Sequence, residues 1–226
     1  MEKNALAIFT KNKKEITDEE KQKRLQSLLE KIGTEENKDK EEGYVYLVID
    51  CSGSMGEKKL NQTKRGVIDF VFDAEKKGYL CGLIQFHSFP THLCELTEDI
   101  SLLKKRIEMI ESGDSTFMAE AIKMAHQILR DKDGHRVIVI ATDGYPNGPG
   151  DPKATLEAGE NAKKDEIDII TIGTDDADKN FLKKLATTEE LSKKVARQHF
   201  GPAIALMAKK LPEISAPKRK LLPEKI

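Results

Sequence analysis

Tyr44-Val45-Tyr46-Leu47-Val48-Ile49-Asp50-Cys51-Ser52-Gly53-Ser54-Met55-Gly56 is the stretch from which the fold is read. Residues 44–49 are aromatic, β-branched or aliphatic without polar alternation, the pattern of a strand buried on both faces in a parallel sheet. The strand stops at a carboxylate, Asp50, and the hydroxyls of Ser52 and Ser54 follow at alternate positions. Gly53 and Gly56 allow a tight turn, so three side-chain oxygens face one point. Such a donor set suits magnesium, a small hard cation that takes oxygen ligands in an octahedron and keeps some of its water. A helix-capping loop is the other reading of this stretch, because Ser and Asp are both favoured at N-caps.

With 226 residues the chain is long enough for one well-cored α/β domain with extensions and short for two. Its formal net charge of -1 gives neither the basic footprint of a nucleic-acid binder nor an acidic solvating block. The first residues, from Met1 to Phe9, hold no long apolar run, and no segment approaches the ~18 apolar residues of a membrane span. The expectation is a soluble cytoplasmic protein with no membrane and no nucleic-acid partner. Three cysteines, Cys51, Cys81 and Cys94, lack C-x-x-C spacing and read as buried reduced thiols.

Three segments follow from the pattern along the chain: residues 1–43, an amphipathic helix and charged linker; 44–211, the domain; and 212–226, a flexible basic tail. Thr17-Asp18-Glu19-Glu20 is a capping box, and Leu25, Leu28, Leu29 and Ile32 then form one apolar stripe. Beyond the Asp50 strand, Leu60, Val67, Phe70, Val71 and Ala74 mark a helix ended by Gly78. Residues 79–86 and 90–96 read as two strands joined by His87-Ser88-Phe89, a link suited to an antiparallel hairpin. Leu103, Ile107 and Ile110 mark a second helix, and Met118, Ile122, Ala125 and Leu129 a third. Residues 137–141 form another buried strand running into Thr142-Asp143-Gly144, and Asp151-Pro152 reads as an N-cap followed by a first-turn proline. A strand at 167–172, a helix at 181–186, a short last strand at 198–200 and a helix over 202–211 complete the pattern.

Alternating strands and helices of this kind predict an α/β fold: a doubly wound, mostly parallel six-stranded sheet with one antiparallel edge strand and helices on both faces. Ligands in such sheets bind beyond the carboxyl ends of the strands, where the strand order reverses. Asp50 and Asp143 both end apolar strands. If those strands are neighbours, two carboxylates distant in sequence meet in one crevice, and a cation there relieves their repulsion.

Asp50-Cys51-Ser52-Gly53-Ser54, together with the Thr142-Asp143-Gly144 strand end, resembles a von Willebrand factor A domain, the Rossmann-like fold also used by integrin I domains. The resemblance runs over roughly 44–211. The metal-ion-dependent adhesion site of that family is read as D-x-S-x-S, a distant Thr that opens a helix, and a distant Asp after a later strand. Asp50, Ser52 and Ser54 match the first element and Asp143 the third. Gly113-Asp114-Ser115-Thr116-Phe117-Met118-Ala119-Glu120-Ala121 resembles the second, with Thr116 at the Thr position and Ser115 where the family usually has glycine.

The resemblance implies Mg2+ or Mn2+ bound directly by Ser52 and Ser54, by Thr116 in at least one state, and by Asp50 and Asp143 directly or through water. It also implies one coordination position left for an Asp or Glu of a partner protein. A cation surrounded mainly by neutral hydroxyls keeps residual positive charge, so an incoming carboxylate gains more there than at an acid-saturated site. Relatives in bacteria and archaea often work inside the cell beside ATPases, chelatases or kinase and phosphatase pairs. The implied role is therefore a non-enzymatic, divalent-cation-dependent protein-protein interaction module in an intracellular assembly.

Other chemistries fit less well. A haloacid-dehalogenase-type phosphatase needs a second Asp two residues after the first as general acid and base, and Ser52 stands there instead. Neither G-x-x-x-x-G-K-[ST] nor G-x-S-x-G occurs. His87, His92, Cys81 and Cys94 offer zinc-type ligands without a compact set of four. Asp175, Asp176 and Asp178 cluster after the 167–172 strand and read as helix capping before partner selection. Tyr145 and Asn147 lie in the loop beside the proposed metal, within reach of a partner. Two alternatives stay open: a metal-assisted hydrolase with Asp50 or Asp143 as base, and a scaffold of the same fold without metal.

Overall fold

A computed structural model describes residues 42–147 and 151–214. The expected amino-terminal helix and the basic segment around Lys218 lie outside the described residues. Six strands form one sheet: β1 (Gly43–Asp50), β2 (Tyr79–Phe86), β3 (Pro90–Thr97), β4 (His135–Thr142), β5 (Ile167–Gly173) and β6 (Ser192–Lys194). Their order is β3-β2-β1-β4-β5-β6, with β3 antiparallel to β2 and every other pairing parallel. Six helices accompany them: α1 (Gly56–Lys76), α2 (Ile100–Glu108), α3 (Met118–Leu129), α4 (Asp151–Lys164), α5 (Lys179–Leu185) and α6 (Phe200–Met207).

All eight residues of β1 are buried, because the strand has a neighbour on either side and helices above and below. Its side chains divide by parity. Val45, Leu47 and Ile49 pack with Phe70, Val71, Leu103, Ile107, Phe200 and Ile204, under α1, α2 and α6. Tyr44, Tyr46 and Val48 pack with Met118, Ile122, Leu129, Ala158, Phe181 and Leu185, under α3, α4 and α5. The strand without polar alternation is thus the one shared by two cores. α1 and α6 approach so closely that a Cβ on Gly66 would collide with the carbonyl of Gly201. Glycine is needed there for contact rather than for turning.

Several boundaries differ from the sequence reading, each for a local reason. The last strand is β6, Ser192–Lys194, and not 198–200. Gln198 lies in a one-turn 3-10 helix, Arg197–His199, and Phe200 begins α6 with its ring wholly buried. β6 carries no apolar signal because it is an exposed edge, held by Val195 N donating to Gly173 O at 2.9 Å and by Thr171 Oγ1 bonding Ser192 Oγ at 2.9 Å. Charged residues are common on such edges. Asp151 lies in the first turn of α4, and its carboxylate accepts the backbone N–H groups of Met118 and Ala119, so it caps α3 rather than its own helix alone. The packed domain continues past Leu211: Ile214 is buried, and its N–H donates to Lys77 O at 3.0 Å.

Candidate metal centre

The strand order reverses at β1, which has β2 on one side and β4 on the other, and Ile49 lies opposite Ala141. Asp50 and Thr142 therefore end side by side. Thr142 Oγ1 donates to Asp50 Oδ2 at 2.5 Å, and the Ser52 N–H donates to Asp50 Oδ1 at 2.8 Å. The carboxylate is wholly buried. Burial pushes its pKa up to about 6, against the pull of the hydrogen bonds from Thr142 and Ser52, and the charge of Asp143 adds to the rise.

Ser52 stands at the N-cap of the 3-10 turn Gly53–Met55, yet its side chain makes no capping bond. Its hydroxyl lies 3.0 Å from that of Ser54, and Ser54 Oγ donates to Asp143 Oδ1 at 2.8 Å. The capping reading of this turn is thereby set aside. Cys51, between the two acceptors, faces the α1–α2–α6 core, and its Sγ–H donates to Ile49 O at 3.4 Å. Burial raises its thiol pKa, so it is a packing residue and not a nucleophile.

The third group comes from the segment before α3. Gly113 N donates to Cys51 O at 2.6 Å and Phe117 N to His87 O at 2.8 Å, which pins both ends of the loop to the edge of the sheet. Gly113 lies flush on the His87 ring, where any Cβ would collide. Thr116 N donates to Asn147 Oδ1 at 3.1 Å, and Asn147 N returns a bond to Thr116 O at 3.4 Å. Asn147, expected within reach of a partner, is exposed and also clamps this loop. Thr116 is buried, and its Oγ1 lies 3.9 Å from where a Cβ on Gly144 would stand, beside Asp143. Ser115 does not adopt positive φ, so this loop does not require the glycine usual at that position.

Asp50, Ser52, Ser54 and Asp143 thus form one linked group at the carboxyl ends of β1 and β4, with Thr116 beside Gly144, the residue after Asp143. Around them lies a residue that the sequence reading missed. Lys59, in the second turn of α1, is 8% exposed, and its ammonium bridges Asp143 Oδ2 and Asp175 Oδ2, the latter at 2.9 Å. Burial pulls the Lys59 pKa down, but Asp143 and Asp175 outweigh it and hold the ammonium above the ordinary lysine range. Asp175 also accepts from Arg197 Nε at 2.9 Å; Lys59 chiefly, and then Arg197, keep its carboxyl below the usual range. The sign of Lys59 was legible in principle, since it precedes Thr63 and Val67 by four and eight residues on the buried face of α1.

The acidic cluster after β5 therefore divides. Asp178 is the N-cap of α5, accepting from Phe181 N at 2.6 Å, whereas Asp175 belongs to the charge network of the site at a left-handed φ of 47°. Tyr145 is 44% exposed on the rim, its ring edge-on to Phe181 at 4.9 Å. His92 bonds the Tyr46 hydroxyl at 2.9 Å, and Cys81 and Cys94 are buried free thiols.

The donor set fits a hard cation. It is all oxygen, and adjacent vertices of an octahedron with bonds of about 2.1 Å lie about 3.0 Å apart, against 3.0 and 2.8 Å along Ser52, Ser54 and Asp143. Among the described residues no group of three or more His, Cys, Asp or Glu is placed to hold a metal.

The family model of the von Willebrand factor type A domain matches residues 45–200. The chain belongs to that family. This von Willebrand A domain is 26% identical over 156 residues to inter-alpha-trypsin inhibitor heavy chain H3 of Pongo abelii, covering 63% of this chain and 18% of that protein. It is 29% identical over 115 residues to the magnesium-chelatase 67 kDa subunit of Heliobacterium mobile, covering 49% of this chain and 17% of that one. The chain thus spans under a fifth of the curated relatives it matches. Among solved structures, the vWF domain of the type V pili tip protein Mfa5 from Porphyromonas gingivalis superposes with a TM-score of 0.67 at 17% identity, over 76% of this chain and 95% of that one. Proximal thread matrix protein 1 of the mussel byssus, in a form with a zinc-occupied MIDAS motif, gives 0.63 at 17% identity, over 75% and 46%. These likenesses establish the doubly wound fold.

Proposed function

We propose that this von Willebrand A domain is a divalent-cation-dependent protein-binding module that captures a carboxylate of its partner. The observation that carries the reading is the convergence of Asp50, Ser52, Ser54, Thr116 and Asp143 at one sheet edge, with three of the five donors uncharged. Ser52, Ser54 and Thr116 would hold Mg2+ or Mn2+, with Asp50 and Asp143 on the ion or one water away. A bound cation supplies an electropositive centre for an Asp or Glu side chain. The zinc-occupied motif of the byssus protein supports a divalent ion at this position of the fold. Similarity to a chelatase subunit supports a role in a multi-component assembly; we take that assembly to be intracellular, with an ATPase or a kinase and phosphatase system as the class of partner.

The hydrolase reading is disfavoured by the occupancy of both candidate bases. Asp50 is wholly buried and already accepts from Thr142 and Ser52, and Asp143 is bound by Ser54 and Lys59. Asp143, ion-paired to Lys59, is a weaker base than a free carboxylate, and Asp50 has no exposed edge to present to a substrate. The test of the module reading is thermal: Mg2+ or Mn2+ raises the melting temperature of the wild type, and Ser52→Ala with Ser54→Ala removes the rise. A rise that survives both substitutions would show that the ion binds elsewhere.

A further inference from the structure

The five donors are only part of the charged constellation at this edge. Lys59 is anchored twice, on Asp143 and on Asp175, and Asp175 is held in turn by Arg197. The second anchor keeps the ammonium at the site whatever else Asp143 binds. Asp143 and Asp175 pair with Lys59 and Arg197, and Asp50 ends the neighbouring strand, so these five groups together carry one negative charge in surplus. A divalent ion turns that surplus into one positive charge, and one carboxylate from outside then neutralises it. With no cation at position 59, the divalent ion would itself complete neutrality, and nothing would be left over for an acidic ligand.

We propose that Lys59 sets the charge of the centre: it shares Asp143 with the divalent cation, loosening the hold on that ion, and so reserves the ion's remaining charge for a carboxylate. This rests on the metal-dependent reading above and adds to it the residue that determines preference for an acidic partner. Lys59 acts through Asp143 and is a positioning residue rather than a ligand. Its geometry suits the task. The aliphatic stem is buried on the inner face of α1, and from there the ammonium reaches Asp143 and Asp175. Coupling of this kind is reciprocal: a ligand that neutralises the surplus tightens the ion, and the ion tightens the ligand by the same factor.

Lys59→Met keeps the stem and removes the charge. Mn2+ alone, titrated by calorimetry, is expected to bind this variant at least about tenfold more tightly than the wild type, the smallest effect of a unit charge on a divalent ion a few ångströms away. Acetate, followed through the Mn2+-induced relaxation of its methyl protons, is expected to bind the Mn2+-loaded variant severalfold more weakly. Opposite signs for ion and acetate are the signature, because a merely structural ion pair would weaken both. Lys59→Arg restores wild-type behaviour, and Lys59→Gln, which keeps a hydrogen-bond donor for Asp143, repeats the result of Lys59→Met should the latter not fold. Unchanged affinities, or affinities that move together, overturn the proposal while Ser52→Ala with Ser54→Ala still abolishes Mn2+ binding. If the wild type binds no Mn2+, or the serine variant binds it as well as the wild type, the metal-dependent reading fails and this one with it.

Discussion

Asp50 is held by two hydrogen bonds and is wholly buried, and its pKa of about 6 says that ionising it there is costly. The folded protein binds the Asp50 proton more tightly than the unfolded chain, whose carboxyl titrates near 3.8. Its contribution to stability is therefore fully present below pH 3.8 and is lost as pH rises through about 6. Asp50→Asn removes this titration. In chelator-containing buffer the variant is expected to exceed the wild type by about 2–3 kcal/mol at pH 7.5, a gap that closes toward pH 4. Denaturant unfolding of both proteins across that range measures it; a gap independent of pH would contradict the assignment. A divalent cation compensates the same charge, so its binding must weaken as Asp50 takes up its proton below about pH 6.

At this scale the sequence was readable wherever a donor sat at a strand end or in a short motif. Asp50, Ser52, Ser54 and Asp143 lie within one linked group at the sheet edge, and Thr116 stands in the loop beside Gly144. Lys59 and Asp151 were not legible in their roles, because both act across elements: one from α1 onto the end of β4, the other from α4 onto α3. No local pattern announces such a bond.

Elements built on apolar periodicity were legible, and elements without it were not. β2 was placed at its observed bounds and β4 and β5 within two residues, since each is a mostly apolar, mostly buried run. β6 is Ser-Lys-Lys, a solvent-facing edge whose pairing depends on backbone bonds to β5. Gln198 to Phe200 was misread as a strand because its one buried ring, Phe200, belongs to a helix start. The contact of α1 with α6 depends on Gly66 and Gly201 lying backbone to backbone. Gly66→Ala improves helix propensity by up to about 1 kcal/mol, but its methyl must displace the Gly201 carbonyl, at about 1–3 kcal/mol. Net destabilisation, seen as a lower denaturant midpoint with an unchanged slope, is the expected outcome; a raised midpoint would show that the two helices separate without cost.

Over the whole molecule, one sheet divides two cores, and the ends of its central strands carry the site. Among the described residues, 42–147 and 151–214, six strands and two cores make up the domain. A fragment of residues 42–214 is expected to melt cooperatively within about 4 °C of the full chain, equivalent to about 1 kcal/mol, and to show the same Mg2+ response. Loss of the cooperative melt would mean that segments outside that range complete the core.

In the proposed function, hydroxyls and carboxylates from three loops form one cation site. Calorimetric titration of Mg2+ into the wild type and into the Ser52→Ala, Ser54→Ala variant, both purified from chelator, tests it most directly. One Mg2+ bound per chain by the wild type, with no binding heat from the folded variant, is the predicted result. An absence of binding by the wild type, or an unchanged isotherm for the variant, would contradict it.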